Sequence, residues 1–236
     1  MRSKAEGRVR KALEQYNMIE EGDKIAVGLS GGKDSLALLT FMARIRRYYD
    51  KKFDLVALTI DMHNGKSDFS EITKYCESLG VEHIVIPSRL YELLFEVRKE
   101  SNPCSLCTRL RRGMLASEAK ALGCNKIALG HHANDLIETF FLSMFYESRL
   151  STFSPVTHLD RTGMTVIRPM LLVWESETTA MTRDLPVFHN DCPADKNTQR
   201  EFVKQYLAGL NKHIKQVHEH ILSALIHPER NHLFDK

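Results

Sequence analysis

Lys24-Ile25-Ala26-Val27-Gly28-Leu29-Ser30-Gly31-Gly32-Lys33-Asp34-Ser35 is a short apolar run that stops in a glycine-rich loop. The run is bounded by turn residues and reads as a strand buried on both faces. From Leu36 to Tyr48 the apolar positions Leu36, Leu39, Phe41, Met42 and Ile45 read as a helix. Between the two, Gly31 and Gly32 let the backbone fold tightly enough for successive N–H groups to face one anion. The start of the helix adds its positive dipole end. Lys33 can neutralise phosphate charge, and Ser30 and Ser35 can donate hydroxyl hydrogen bonds. The loop lacks the long glycine spacing and terminal Gly-Lys-Ser/Thr of the common P-loop. Asp34 is the informative difference: a carboxylate beside a phosphate is repulsive unless a cation bridges them, which assigns it to magnesium. Gly-Gly turns are common, but a buried strand seldom runs into Gly-Gly-Lys-Asp-Ser before a helix without a ligand.

Outward from this unit the pattern keeps alternating. FDLVALTI (53–60) is a buried strand, a helix follows from about Asp68 to Leu79, and HIVI (83–86) lies in a third strand. The stretch from Ser105 to Leu122 is helical, KIALG (126–130) is a fourth strand, Asn134 to Tyr146 is helical, and MTVIRP (164–169) is a fifth strand. Such alternation predicts an α/β fold, a parallel five-stranded sheet of Rossmann-like type with helices on both faces. In such sheets ligands lie beyond the carboxyl ends of the strands, where Ser30 onward, Asp61, His63 and His131 to Asp135 fall. After Pro169 the alternation fades, and residues 196–226 read as two helices. The expected organisation is an N-terminal helix (1–22), a nucleotide-binding domain (23–170) and a helical C-terminal extension (171–236) carrying Cys192.

The bulk numbers fit an ordinary globular chain of 236 residues, 43% hydrophobic and 27% charged. No apolar run approaches the roughly 18 residues needed to cross a membrane, and the charged N-terminus has no signal-peptide stretch, so the expectation is a cytoplasmic protein without a membrane partner. A net charge of +3 argues weakly for nucleic acid, although Arg2, Lys4, Arg8, Arg10 and Lys11 cluster near one end and Arg109, Arg111 and Arg112 follow a cysteine pair. Either group reads as a solvated face or as a grip on phosphates.

Leu129-Gly130-His131-His132-Ala133-Asn134-Asp135 is a second strand-to-helix turn. There Gly130 allows close approach to a nucleotide, and Asp135 orients magnesium or the attacking group; the plainer reading is that Asn134 or Asp135 caps the next helix. Five cysteines without a secretion signal argue against a disulfide framework. Cys104 and Cys107 stand three apart at a helix start, where both can face one metal as thiolates. That pair alone is a redox pair, half of a zinc site or half of an iron–sulfur site, and Cys192 is a distant third. Three thiolates leave one iron of a 4Fe-4S cluster free for another ligand. Cys76 and Cys124 read as small buried hydrophobes.

Ser30-Gly31-Gly32-Lys33-Asp34-Ser35 resembles the phosphate loop of the N-type ATP pyrophosphatases, which cleave ATP between its α and β phosphates. Together with CSLCTRLRRG (104–113), KIALGHH (126–132) and NTQREFVK (197–204), it resembles the tRNA 2-thiocytidine synthetase family, from about Arg8 to His220. The resemblance implies ATP, Mg2+ and a 4Fe-4S cluster bound by three cysteines, those here being Cys104, Cys107 and Cys192. It implies tRNA as substrate, with the C2 oxygen of cytidine 32 adenylated and then replaced by sulfur. A sulfur donor, either a cysteine desulfurase persulfide or free sulfide, and a homodimer are implied as partners. Carried over residue by residue, the nucleotide is expected against Gly28, Ser30, Gly31, Gly32, Lys33, Asp34, Ser35, Ile60, His63 and Gly130. Lys33, Asp34 and Asp135 are the expected catalytic residues. Competing readings are thiolation of another tRNA position or a small molecule, a lysidine-type ligase, and a nucleotide-sensing module with a zinc knuckle.

Overall fold

In the computed structural model, residues 3–98, 103–188 and 199–230 are described. Helix α1 (Lys4–Gln15) starts at Ser3, whose hydroxyl accepts from Glu6 N at 3.1 Å. Strand β1 (Asp23–Gly28) leads into α2 (Lys33–Arg46), β2 (Phe53–Asp61) into α3 (Ser70–Ser78), and β3 (Glu82–Pro87) into a single π-helical turn (Glu92–Val97). Then come α4 (Pro103–Ala121), β4 (Lys126–Ala128), α5 (Ala133–Glu147), β5 (Val156–Leu159), β6 (Met164–Ile167), α6 (Glu175–Met181), α7 (Gln199–Leu210) and α8 (Val217–Ile226).

The strands form one sheet in the order β3-β2-β1-β4-β6-β5. Five of them run parallel, as expected, but the sheet has six strands. The additional one, β5, pairs antiparallel with β6 from Val156 opposite Ile167 to Leu159 opposite Met164. Its side chains are half-buried or exposed, so the period-2 signal is faint. Burial on both faces explains the continuous apolar runs of the central strands. Ile25 and Val27 pack with α1 and α2 on one face, while Ala26, Val56, Leu58, Ile127 and Val166 pack with Leu115, Ala116 and Ala119 of α4 on the other. A third cluster joins α5 to the C-terminal helices through Leu136, Ile137, Val203, Leu207 and Leu222. At the amino end of the sheet, Lys126 Nζ meets Asp23 Oδ2 at 2.8 Å, both residues being buried. No described helix is long and apolar enough to cross a membrane.

With β1 central, the carboxyl ends of β1, β2 and β4 lie side by side. The loop after β1, the loop after β2 and the loop after β4 therefore meet at one edge, with α4 covering it on one face.

Candidate active site

Where β1 ends, the chain turns through residues 29–32 before α2. Gly31 sits at φ 83°, in the region that favours glycine, and a Cβ there would come within 2.7 Å of Phe188 Cβ. Its carbonyl accepts from Phe188 N at 2.9 Å. Ser30 and Ser35 hold the turn shut from inside: Ser30 Oγ accepts from Gly32 N at 3.3 Å and donates to Ser35 Oγ at 3.2 Å, and Ser35 Oγ donates to the Gly32 carbonyl at 2.8 Å. Gly32 occupies the N-cap of α2 and brings no capping oxygen of its own.

Lys33 Nζ lies 2.9 and 3.0 Å from the two Asp34 carboxylate oxygens and 3.2 Å from Glu175 Oε1. Asp34 Oδ1 also accepts from Thr178 Oγ1 at 2.7 Å, and His132 Nε2 stands 3.8 Å from it. Glu175 reaches on to Lys204 of α7 at 2.9 Å. Burial alone would raise the Glu175 carboxyl, but the Lys204 hydrogen bond and the Lys33 charge hold it below the usual glutamate value. The lysine of the loop is thus held by carboxylates on two different elements, a position from which a phosphate can draw it.

The loop after β4 meets this arrangement from the side. His132 caps α5: its Nδ1 accepts from Asp135 N at 3.3 Å, while Asp135 Oδ2 accepts from His132 N at 3.0 Å. The cap is therefore His132 with Asp135 as its reciprocal partner, whereas the sequence pointed to Asn134 or Asp135 as the capping residue. Asn134 Oδ1 instead accepts from Glu175 N at 3.0 Å. Arg200 Nη1 of α7 donates to Glu138 at 3.0 Å and lies 3.5 Å from Asp135 Oδ1. At Gly130 a Cβ would stand 3.0 Å from the Asp34 carbonyl oxygen and 3.3 Å from Ser35 N. Glycine is needed there to keep the two loops in contact. Gly130→Ala obliges the Asp34 backbone to give by a few tenths of an ångström, and a shift of that size is expected to cost about 10-fold in ATP-dependent turnover. Circular dichroism should stay native; wild-type turnover in that variant would show that the loops can part without consequence.

A cleft of about 280 Å³ opens over these loops. Of the expected nucleotide contacts, Gly28, Ser30, Asp34, Ser35, Ile60 and Gly130 line it. Gly31, Gly32 and Lys33 belong to the same turn without lining the cleft. His63 does not face it: its ring packs 4.7 Å from that of Tyr91, and it lines a separate cavity beside the π-helical turn. Asp61 is buried, and its carboxylate accepts from His63 N at 3.0 Å, Ser67 Oγ at 2.6 Å and Gly65 N, shaping the loop after β2.

The far wall of the cleft is α4, through Thr108, Arg111, Arg112 and Leu115. Arg111 and Arg112 have no carboxylate partner among the described residues. The N-terminal basic group differs: Arg8 pairs with Glu177, and Arg10 pairs with Glu14 at 3.4 Å. His131 completes the cleft. Burial, then Arg168 and Arg112, push its imidazole down to about 3, so it is neutral at physiological pH. Its Nδ1 has no hydrogen-bond partner among the described residues.

Helix α4 opens with the cysteine pair. Cys104 is exposed and Cys107 half-buried, one turn apart, just before the residues that wall the cleft. Two thiols on one face at a helix start suit a metal or cluster that binds thiolate. Cys192, the third expected ligand, lies outside the described residues, and among those described no three His, Cys, Asp or Glu side chains are arranged to hold a metal ion. Cys76 and Cys124 are buried, as expected of packing residues, and burial pushes the Cys76 thiol up to about 11. Glu175, Thr178, Arg200 and Lys204 were not singled out from sequence. Arg200 and Lys204 stand within NTQREFVK (197–204), whose resemblance was the available signal; Glu175 and Thr178 had none.

A sequence model of the PP-loop domain family matches residues 1–210. Among curated proteins, the chain is 38% identical over 231 residues to the tRNA-cytidine(32) 2-sulfurtransferase of Saccharophagus degradans, covering 96% of this chain and 74% of that one. It is 38% identical over 233 residues to the protein of the same name from Geobacter metallireducens, covering 97% and 91%. Among solved structures, the U34-tRNA thiolase NcsA from Methanococcus maripaludis with its 4Fe-4S cluster superposes with a TM-score of 0.76 at 23% identity, covering 98% of this chain and 80% of that one. That likeness speaks for the fold.

Proposed function

Because the chain belongs to the PP-loop family and, within it, to the tRNA-cytidine(32) 2-sulfurtransferases, we propose that it uses ATP to activate the C2 oxygen of a tRNA cytidine and replaces that oxygen with sulfur. The observation that carries this reading is the double use of α4. The helix that walls the ATP cleft with Thr108, Arg111 and Arg112 begins with Cys104 and Cys107, so a sulfur-handling group and a nucleotide would share one boundary.

A pyrimidine carbonyl oxygen is a very poor leaving group. In the reaction proposed, it attacks the α-phosphorus of ATP; a new P–O bond forms, the bond to the β-phosphate breaks, and the electron pair leaves with pyrophosphate. A sulfur nucleophile then adds at C2 and the oxygen departs as AMP. Lys33 would move from Asp34 and Glu175 to the phosphates, where its charge and the loop amides stabilise the developing negative charge. Mg2+ held by Asp34 would supply further charge neutralisation at those oxygens. Neutral His131 can exchange a hydrogen bond with the base or phosphate but adds no positive charge. Cys104 and Cys107, with Cys192, would hold a 4Fe-4S cluster, which when bound supplies an iron able to carry the sulfur. Asp135 is so committed to the α5 cap that its contribution is to orient His132 against Asp34.

The test is mass spectrometry of nucleosides from unmodified tRNA incubated with reconstituted protein, ATP, Mg2+ and sulfide. Appearance of 2-thiocytidine, with one pyrophosphate released per thiolated base, is the expected result. A different modified nucleoside would reassign the substrate, and pyrophosphate release without any thiolated base would reassign the reaction.

A further inference from the structure

Leu115 and Leu129 line the ATP cleft on one side and a second cavity, of about 490 Å³, on the other. This second cavity lies between α4 and the hairpin formed by β5 and β6. Its floor is apolar, made by Ala116, Ile127 and Val166. Its rim is cationic: Arg109 and Arg112 come from α4, Arg161 from the hairpin turn and Arg168 from just past β6. Against these four stands one lining carboxylate, the exposed Asp160. None of the four arginines has an ion-pair partner among the described residues.

Arg168 is the telling member. It is only 5% exposed, and its guanidinium sits 5.1 Å over the Phe153 ring. Nη1 donates to the Ser154 carbonyl at 2.6 Å and to Thr157 Oγ1 at 2.9 Å, while Nε has no acceptor. Burial and the nearby Arg112 charge push it down to about 10. A cation this deep, crowded by another and lacking a carboxylate, is costly unless an anion joins it. Guanidinium groups match phosphate oxygens in geometry as well as in charge. An inorganic phosphate would leave the apolar floor uncovered. A nucleotide of an unpaired strand uses both parts, with its ring on the floor and its phosphate among the arginines. Arg112 lines both cavities, so a strand presenting one base to the ATP cleft would pass this rim.

We propose that this second cavity receives one nucleotide of the single-stranded part of the RNA substrate, its phosphodiester held by Arg168 and Arg112 and steadied by Arg109 and Arg161. The proposal rests on the tRNA reading above.

Arg109 and Arg161 are exposed and do not line the ATP cleft, which makes the double substitution R109A/R161A a test that spares the fold. Binding of unmodified tRNA to the full chain is followed by fluorescence anisotropy across a salt series, with ATP binding measured in parallel. The variant is expected to bind tRNA about 10-fold more weakly, with the slope of log affinity against log salt reduced by about 0.7 for each phosphate no longer neutralised. Its ATP affinity should be unchanged. An unpaired oligoribonucleotide should compete with tRNA, and a duplex of equal length should not. Unchanged tRNA affinity and salt slope in the variant would overturn the proposal, as would a loss confined to ATP binding or equal competition by the duplex. If the unaltered protein binds ATP but no tRNA, the substrate reading itself falls; if it binds tRNA and the variant binds equally well, only this assignment does.

Discussion

Asp34→Ala is expected to lower ATP-dependent turnover by about 1,000-fold, roughly 4 kcal/mol of transition-state stabilisation. Two losses combine in that figure. The carboxylate proposed to hold magnesium is gone, and Lys33 loses the partner that keeps its ammonium 2.9 Å away at the head of α2. In the variant Lys33 retains Glu175, 3.2 Å away on α6, and is expected to be drawn towards it. Thr178 also loses its acceptor, but that hydroxyl still donates to the Glu175 carbonyl at 2.9 Å, so α6 should keep its place. Steady-state pyrophosphate release measures the effect, and iron content after anaerobic reconstitution is the control. Turnover within 10-fold of the starting protein would remove Asp34 from the chemistry; loss of iron along with turnover would mean that the loop and the cysteine site are not separable.

The second large effect is the opposite partition. Cys104→Ser or Cys107→Ser is expected to abolish thiolation and iron binding while ATP binding stays within about 3-fold. Cys104 is exposed and Cys107 half-buried beside Leu90, Leu94 and Met62, so neither substitution opens a deep cavity. Serine keeps the size but not the soft thiolate that iron–sulfur clusters require. Iron and acid-labile sulfide analysis decides the matter together with ATP titration. If the unaltered protein takes up stoichiometric zinc and refuses iron and sulfide, the cluster assignment is wrong. If the serine variants still thiolate tRNA, the cysteine pair serves some other purpose.

What could be read from the sequence was whatever local spacing records. The run from Lys24 to Ser35 had to be a strand entering a helix through a tight turn, because its apolar positions are contiguous and then helically spaced. The parallel sheet followed from the same alternation. Strand β5 escaped because an edge strand with Thr157 and His158 exposed or half-buried carries little apolar contrast. Helix α6 escaped for a similar reason: seven residues with only Thr178 buried leave almost no periodic trace. Yet α6 supplies Glu175 to Lys33 and Thr178 to Asp34, contacts made across more than 140 residues of chain. His63 was expected at the nucleotide because it falls just beyond the carboxyl end of its strand. The carboxylate of Asp61 instead folds the following loop back on itself, and His63 turns to Tyr91. Nor could spacing distinguish Arg8 and Arg10, which find Glu177 and Glu14, from the arginines on α4, which find no carboxylate among the described residues; only the folded chain brings the acids near one group and not the other.

The reach of Lys33 through Glu175 to Lys204 also bears on how the molecule is made. The phosphate loop is made first, and the carboxylate that steadies its lysine and the cation that steadies that carboxylate come roughly 140 and 170 residues later. At ribosomal speeds of about 5–20 residues per second, some ten to thirty seconds separate the loop from its last supporting charge. A nascent or prematurely ended chain that stops short of α7 would display the whole Ser30–Ser35 signature with Lys33 held only in part. The final setting of the loop lysine therefore waits on α6 and α7, long after its own motif has been made.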